Sequence, residues 1–219
     1  PASAEPLPED LEDKAVAFSH VTFGYAPAQP ILKDFSCSLE PGEQAILMGP
    51  SGCGKSTLFK LLLGLYAPQQ GTVALMGKRA GSLPEEEKRS LYGCVEQEFS
   101  PVPGTVADQV TLFDASVVSD QVDRALELVG LKEAVDRLPQ GKDTLMADGL
   151  FSQGELQLLN IARAVAKEPQ LLLLDEITAN LDSQTEERVL KALERAAQGR
   201  TVLSISHRFS RMMEGQRVI

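Results

Sequence analysis

The rhythm of apolar and polar positions changes along this chain, and each change marks an element. Alternation at Ala15–Phe18 and again at Val21–Phe23 predicts two strands, with Ile31–Leu39 another. Pro41-Gly42 marks a turn. Beyond it Gln44–Met48 reads as a buried strand, and the apolar run Ser56–Leu65 as a buried helix. Gly71–Met76 and Leu91–Val95 are further short strands. From about Glu98 to Val165 helical spacing dominates, notably in Ser119–Val129 and Glu155–Ala166. Four leucines, Leu171–Leu174, then make a buried strand. Ser183–Ala197 predicts an amphipathic helix with Glu and Arg on its outer face, and Thr201–Ser206 the next strand. Arg217-Val218-Ile219 reads as a strand just beginning, so the natural protein is expected to continue. Strand, helical insertion and returning strands together describe an α/β core with a separate α lobe. No internal repeat is visible.

Composition narrows the function classes. A length of 219 residues gives room for one large domain or two small lobes, and 43% hydrophobic residues supply a sizeable core. A net charge of −10 without a basic block argues against nucleic acid or an anionic membrane surface as the main partner. Cys37, Cys53 and Cys94 are odd in number and form no C-x-x-C pair, which suits a reducing cytosolic compartment rather than a disulfide framework or zinc site. No stretch approaches the roughly 18–20 apolar residues that span a bilayer. Pro1–Asp13, rich in proline and acid, reads as a solvated linker or chain edge and not as a signal peptide.

The chemistry begins at Gly49-Pro50-Ser51-Gly52-Cys53-Gly54-Lys55-Ser56-Thr57, which matches the phosphate-loop pattern G-x-x-x-x-G-K-[ST]. Glycines let the backbone turn its N–H groups inward on phosphate oxygens. Lys55 adds charge for the β- and γ-phosphates, and the Ser56 hydroxyl can bind Mg²⁺. A strand enters the loop and a helix leaves it, so the helix N-terminus adds its dipole to the anion site. The bland alternative is a glycine turn in an unrelated α/β protein. Cys53 reads as a small tolerated side chain through which thiol reagents could block the loop. Far along the chain, Leu171–Leu174 runs directly into Asp175-Glu176. Carboxylates at the end of a buried strand need a partner, and Mg²⁺ carried by ATP supplies one. Asp175 would hold the metal and Glu176 would polarise or deprotonate the attacking water. The competing reading is an acidic helix cap.

With both halves in view, the chain resembles the nucleotide-binding domain of an ABC transporter of exporter type, from Val16 to Val218 and in the family's motif order. The resemblance makes Tyr25 the aromatic that stacks on adenine. It makes Gln97 the glutamine that touches Mg²⁺ and links core to helical lobe. Phe151-Ser152-Gln153-Gly154-Glu155 is similar to the family signature, with Ser152 and Gly154 facing phosphate. Ala179-Asn180-Leu181-Asp182 resembles the loop crossing the dimer interface, and His207 the switch histidine at the γ-phosphate. Plain readings stand beside these: Ser152 and Asp182 as helix caps, and Tyr25 as an ordinary core or surface tyrosine. His20 has no motif behind it and reads as structural. Some positions depart from the family pattern. Gln153 replaces a usual Gly and Glu155 a usual Gln. Leu156 and Leu158 stand at commonly polar or basic positions, Ile177 replaces a small residue, and the stretch Asp143–Leu150 is short.

The expected fold is therefore α/β: a P-loop NTPase core with a mostly parallel sheet, an antiparallel β subdomain and an inserted α-helical lobe. Residues 1–13 would be the linker, 14–97 and 166–219 the two parts of the core, and 98–165 the lobe. One phosphate loop and one signature per chain imply a head-to-tail pair that buries two Mg-ATP. A transmembrane partner fused N-terminally is expected, with the domain at the cytoplasmic face of a membrane and no nucleic acid bound. Pro103–Leu112 most resembles peptide and bacteriocin exporters, so ATP-driven export of a peptide is the expected function. The alternatives are a separate importer ATPase subunit and a non-transport ABC clamp. A site that binds ATP without splitting it is disfavoured by Lys55, Asp175, Glu176 and His207.

Overall fold

The computed structural model describes residues 7–26, 29–50, 52–175, 177, 181–206 and 216–219. In chain order the elements are β1 (Val16–Phe23), β2 (Leu32–Leu39), β3 (Gln44–Leu47), α1 (Lys55–Leu62), β4 (Gln70–Leu75) and β5 (Lys78–Arg79). Then come α2 (Glu85–Leu91), β6 (Tyr92–Val95), α3 (Val106–Thr111), α4 (Ser119–Val129), α5 (Lys132–Asp136) and α6 (Gln153–Val165). The chain closes with β7 (Leu171–Asp175), α7 (Ser183–Ala197), β8 (Thr201–Ile205) and β9 (Arg217–Val218). The mixed α/β class expected from the sequence is the one observed, with both parallel and antiparallel strands.

Two compact units divide the chain: residues 1–91 with 199–219, and residues 92–198. In the first, an antiparallel sheet runs in the order β2-β1-β4-β5, while β3 lies parallel between β8 and β9. Ala45, Ile46 and Leu47 of β3 and Val202, Leu203 and Ile205 of β8 are all buried. Such continuous apolar strands are what a parallel sheet covered on both faces requires. Helix α1 buries Leu58, Phe59, Leu61 and Leu62. It stops at Leu62, three residues short of the apolar run that suggested it, because Gly64 turns the chain at φ +72 and leaves Leu65 exposed.

Two differences from the sequence pattern belong to this unit. The stretches Ala15–Phe18 and Val21–Phe23 are one strand, interrupted by an irregularity at Ser19-His20 where the register with β2 and β4 shifts. His20 (φ +52) donates its N–H to Ser36 Oγ at 2.8 Å, and its Nδ1 lies 2.7 Å from Asp34 Oδ1. Local polar bonds thus hold a bulge that lets pairing resume beyond it, and His20 is an exposed surface residue. Within the stretch read as a solvated linker, a 3₁₀ turn at Glu9–Leu11 tucks Leu11 against Ala17 and Ala74.

In the second unit β6 and β7 pair in parallel, with Tyr92 opposite Leu171 and Val95 opposite Leu174. Helix α6 is central here, packing on α3, α4, α7 and β6. Amphipathic spacing explains its neighbours. Val122, Ala125, Leu126 and Val129 bury one stripe of α4, and Val189, Ala192, Leu193 and Ala196 one stripe of α7. Gly130, left-handed at φ +76, ends α4.

Candidate nucleotide site

The first unit brings Tyr25 and the phosphate loop together. β3 delivers the chain to Gly49, and α1 begins at Lys55. Gly52 (φ +83) and Gly54 (φ +106) adopt backbone conformations that side chains resist. A Cβ at Gly54 would also meet Ile31 Cγ2 and Leu32 Cδ2 at 3.0 Å. Gly54 is the cap of α1 and has no side chain to offer the first-turn N–H groups, and among the described residues no side chain caps them, an arrangement that suits an incoming anion. The Lys55 amine is buried and donates to the Gly49 carbonyl (2.7 Å), the Pro50 carbonyl (3.0 Å) and Cys53 Sγ (3.7 Å). The ammonium thus rests on its own loop. Ser56 and Cys53 are exposed and Thr57 is buried. Ser51 lies outside the described residues.

Tyr25 stands at the loop's flank. Its hydroxyl lies 3.4 Å from Thr57 Oγ1 and accepts from Lys60 Nζ at 3.4 Å, and these bonds, Thr57's first, pull the phenol below its ordinary pKa. The ring meets Phe23 and Tyr66 edge-on, each with centroids 5.3 Å apart, yet stays half exposed. An exposed aromatic face locked beside an anion cradle suits a nucleobase. These features, the chemistry of the loop donors above all, fit a nucleoside triphosphate.

The second unit holds Gln97, Ser152, Gly154, Asp175 and Asp182. Gln97 follows β6 and Asp175 ends β7. Asp175 adds its charge, with that of Glu96, to the burial that pushes the Cys94 thiol up to about 12. Ser152 caps α6 in a reciprocal box: its N–H and hydroxyl each donate to Glu155 Oε2 at 2.8 Å, and its Oγ accepts from Glu155 N–H at 3.3 Å. Glu155, the departure from the family's glutamine, therefore has a local structural role. Gly154 lies so close to α7 that a Cβ there would collide with Thr185 Cγ2. Asp182 caps α7 by accepting from the N–H groups of Gln184 and Thr185, each at 3.1 Å. Gln97, Gln153, Leu156 and Leu181 line one pocket of about 470 Å³, so the segment after β6, the signature end of α6 and the Leu181-Asp182 turn meet within this unit. Glu176, Thr178, Ala179, Asn180 and His207 lie outside the described residues.

The sequence reading missed Gln157 and Asn160. Both are buried on α6 and bond the backbone around Gln97. The available signal was two amides three residues apart on a helix apolar on more than one side.

A strand feeding an anion loop, with a buried lysine and an aromatic flank, defines a phosphate-loop nucleotide-binding domain. Comparison with known proteins gives the family. A model described as ABC transporter matches residues 32–179, about two thirds of the chain. The mouse mitochondrial ATP-binding cassette sub-family B member 10 is 42% identical over 212 residues, covering 93% of this chain and 30% of that protein. The Mycobactin import ATP-binding/permease protein IrtA of Mycobacterium tuberculosis is 39% identical over 215 residues, covering 96% and 25%. The structure of a bacterial Atm1-family ABC exporter with ATP bound matches with a TM-score of 0.79 and 32% identity, over 96% of this chain and 37% of that one. The chain belongs to the ABC transporter family, whose ATPases hydrolyse ATP coupled to transport. It spans a quarter to a third of the length of these curated relatives. Among the described residues no helix is long and apolar enough to cross a membrane.

Proposed function

We propose that this chain is the ATP-hydrolysing domain of a fused ATP-binding/permease transporter, set at the cytoplasmic face of a membrane and working as a head-to-tail pair. The observation that carries this reading is the phosphate loop, where positive-φ glycines, a helix start that Gly54 cannot cap and a buried lysine amine occur within one short stretch. In the proposed cycle the Lys55 amine leaves the Gly49 and Pro50 carbonyls for phosphate oxygens, and the loop N–H groups stabilise the charge that develops there. Tyr25 holds the base. Ser56, Gln97 and Asp175 would hold Mg²⁺, which neutralises phosphate charge when bound. Glu176 takes a proton from the attacking water while His207 orients it. The Ser152–Gly154 end of α6, with Asp182 behind it, closes on ATP held by the loop of the second copy. Residues 14–97 and 166–219 form the ATP-binding core of this reading, and 98–165 its helical lobe.

The fused relatives support a permease partner on the same chain. Residues 103–112 suggest a peptide cargo moving outward, and the relative named for mycobactin import widens the choice to mycobactin-like molecules and to the opposite direction. ATP turnover against protein concentration tests the pairing. Turnover per mole of chain should rise with concentration, and strictly linear growth of the total rate would refute a shared site. Glu176→Gln should keep ATP binding and lower turnover at least about a hundredfold. Undiminished turnover removes the role given to Glu176.

A further inference from the structure

Helix α6 carries a polar stripe that the nucleotide reading leaves unused. Gln157 and Asn160 are 6% and 2% exposed, on a helix whose other buried positions include Leu158, Leu159, Ile161 and Val165. An amide there costs desolvation unless it is bonded, and both amides are bonded to one segment. Gln157 Nε2 donates to the Gln97 carbonyl at 2.6 Å, and Asn160 Nδ2 to the Glu96 carbonyl at 2.9 Å. Asn160 Nδ2 also approaches Gln157 Oε1 at 3.4 Å, which ties the pair together. One turn further on, Arg163 Nη1 donates to the Ser100 carbonyl at 3.1 Å, and its guanidinium lies 4.4 Å from the centre of the Phe99 ring. Positions 157, 160 and 163, one helical turn apart, thus grip residues 96–100 from one side.

A merely structural role would be to fill and satisfy the core. Arg163 also braces α3, its Nε donating to the Gln109 carbonyl at 2.7 Å, but the backbone acceptors of Gln157 and Asn160 both lie on the short segment that carries Gln97, and that common destination argues for more. We infer that Gln157 and Asn160, backed by Arg163, are positioning residues for Gln97. They fix the backbone from which its side chain reaches the metal, and they do so from the same helix that begins with Ser152 and Gly154. A shift of α6 therefore carries the Gln97 segment and the signature end together. The inference rests on the proposed Mg-ATP reading, in which Gln97 helps to hold Mg²⁺.

Gln157→Met and Asn160→Leu keep the volume and remove the donor. Three quantities are measured on each variant and on the unaltered chain: nucleotide affinity in EDTA, the Mg²⁺ concentration that half-saturates ATP turnover, and the melting temperature. The half-saturating Mg²⁺ should rise about three- to tenfold, the range of one net hydrogen bond, with metal-free nucleotide affinity unchanged. A lower melting temperature with an unshifted Mg²⁺ curve would show the stripe to be structural alone and would overturn the inference. If Asn160→Leu fails to fold, seen as lost nucleotide binding in EDTA, Gln157→Met decides. Absence of Mg²⁺-dependent turnover in the unaltered chain would instead overturn the proposed function, and the inference with it.

Discussion

At Gly54 two independent constraints coincide: φ is +106, and a Cβ would press on Ile31 and Leu32. Gly54→Ala should therefore cost about 1–3 kcal/mol of stability and abolish nucleotide binding, read by thermal melting and by titration with a fluorescent nucleotide. In the proposed site the Tyr25 ring would bear on the base rather than on the phosphates. Tyr25→Ala should weaken ATP binding by about 1–3 kcal/mol, the worth of one stacked base, while inorganic tripolyphosphate binds as before; equal losses for both ligands would remove the base-stacking role. The three cysteines separate by environment. Burial above all pushes Cys37 up to about 11 and Cys94 up to about 12, so both remain thiols at pH 8. Cys53 is exposed inside the loop. A maleimide at pH 8 should label Cys53 first, ATP should slow that labelling, and labelled chain should no longer bind nucleotide. Peptide mass spectrometry locates the label, and equal labelling of Cys94 in the folded chain would contradict the burial argument.

The helices show what a sequence can and cannot declare. α7 begins and ends where its pattern says, because a strong apolar stripe and a capping Asp182 agree. The Leu171–Leu174 run is equally plain, since a strand buried on both faces needs four apolar residues in a row. The phosphate loop is legible because its chemistry sits in nine consecutive residues. The β1 bulge is hidden, since its cause is a cross-strand bond from His20 to Ser36, sixteen residues away. The grip of α6 on residues 96–100 is hidden for a related reason: its acceptors are backbone carbonyls, which any residue provides. Gly154 is the case where motif and packing coincide. Gly154→Ala should destabilise the chain by about 1–3 kcal/mol through overpacking, and adding Thr185→Ser, which removes the colliding methyl, should restore the melting temperature. If turnover stays low in the repaired double variant, the glycine is needed by the site as well as by the helix contact. Acid acts on the start of α7. Hydrogen bonds from Thr185, and then from the Gln184 backbone, hold the Asp182 carboxyl below the usual range. A lowered folded-state value means the stabilisation is present above the unfolded value, near pH 4, and is lost as pH falls through the folded one. Amide exchange at Gln184 and Thr185 should quicken in that acidic window, and Asp182→Asn should remove the pH dependence while keeping a cap.

For the whole molecule, the proposed pair poses a physical question: how a site divided between two copies would be filled. The donors around Gly49–Thr57 and the ring of Tyr25 belong to one unit of one chain, so ATP can dock there at any protein concentration. In the proposed head-to-tail pair the Ser152–Gly154 end of α6 would meet phosphate only when a second copy closes, which mass action forbids in dilute solution. The net charge of −10 adds repulsion between copies, so closure should be helped by salt within the range that screens surface charge. Hydrogen exchange separates the two events. With ATP present and Glu176→Gln to prevent turnover, amides of residues 52–58 should be protected at every concentration, and protection of residues 152–155 should appear only above a threshold. That threshold should coincide with the concentration at which turnover per mole of unaltered chain begins to rise, and it should fall as ionic strength goes from about 0.01 to 0.15 M. Protection of both segments together at the lowest concentration would mean that a single copy closes on its own nucleotide, and the head-to-tail pair would have to be given up.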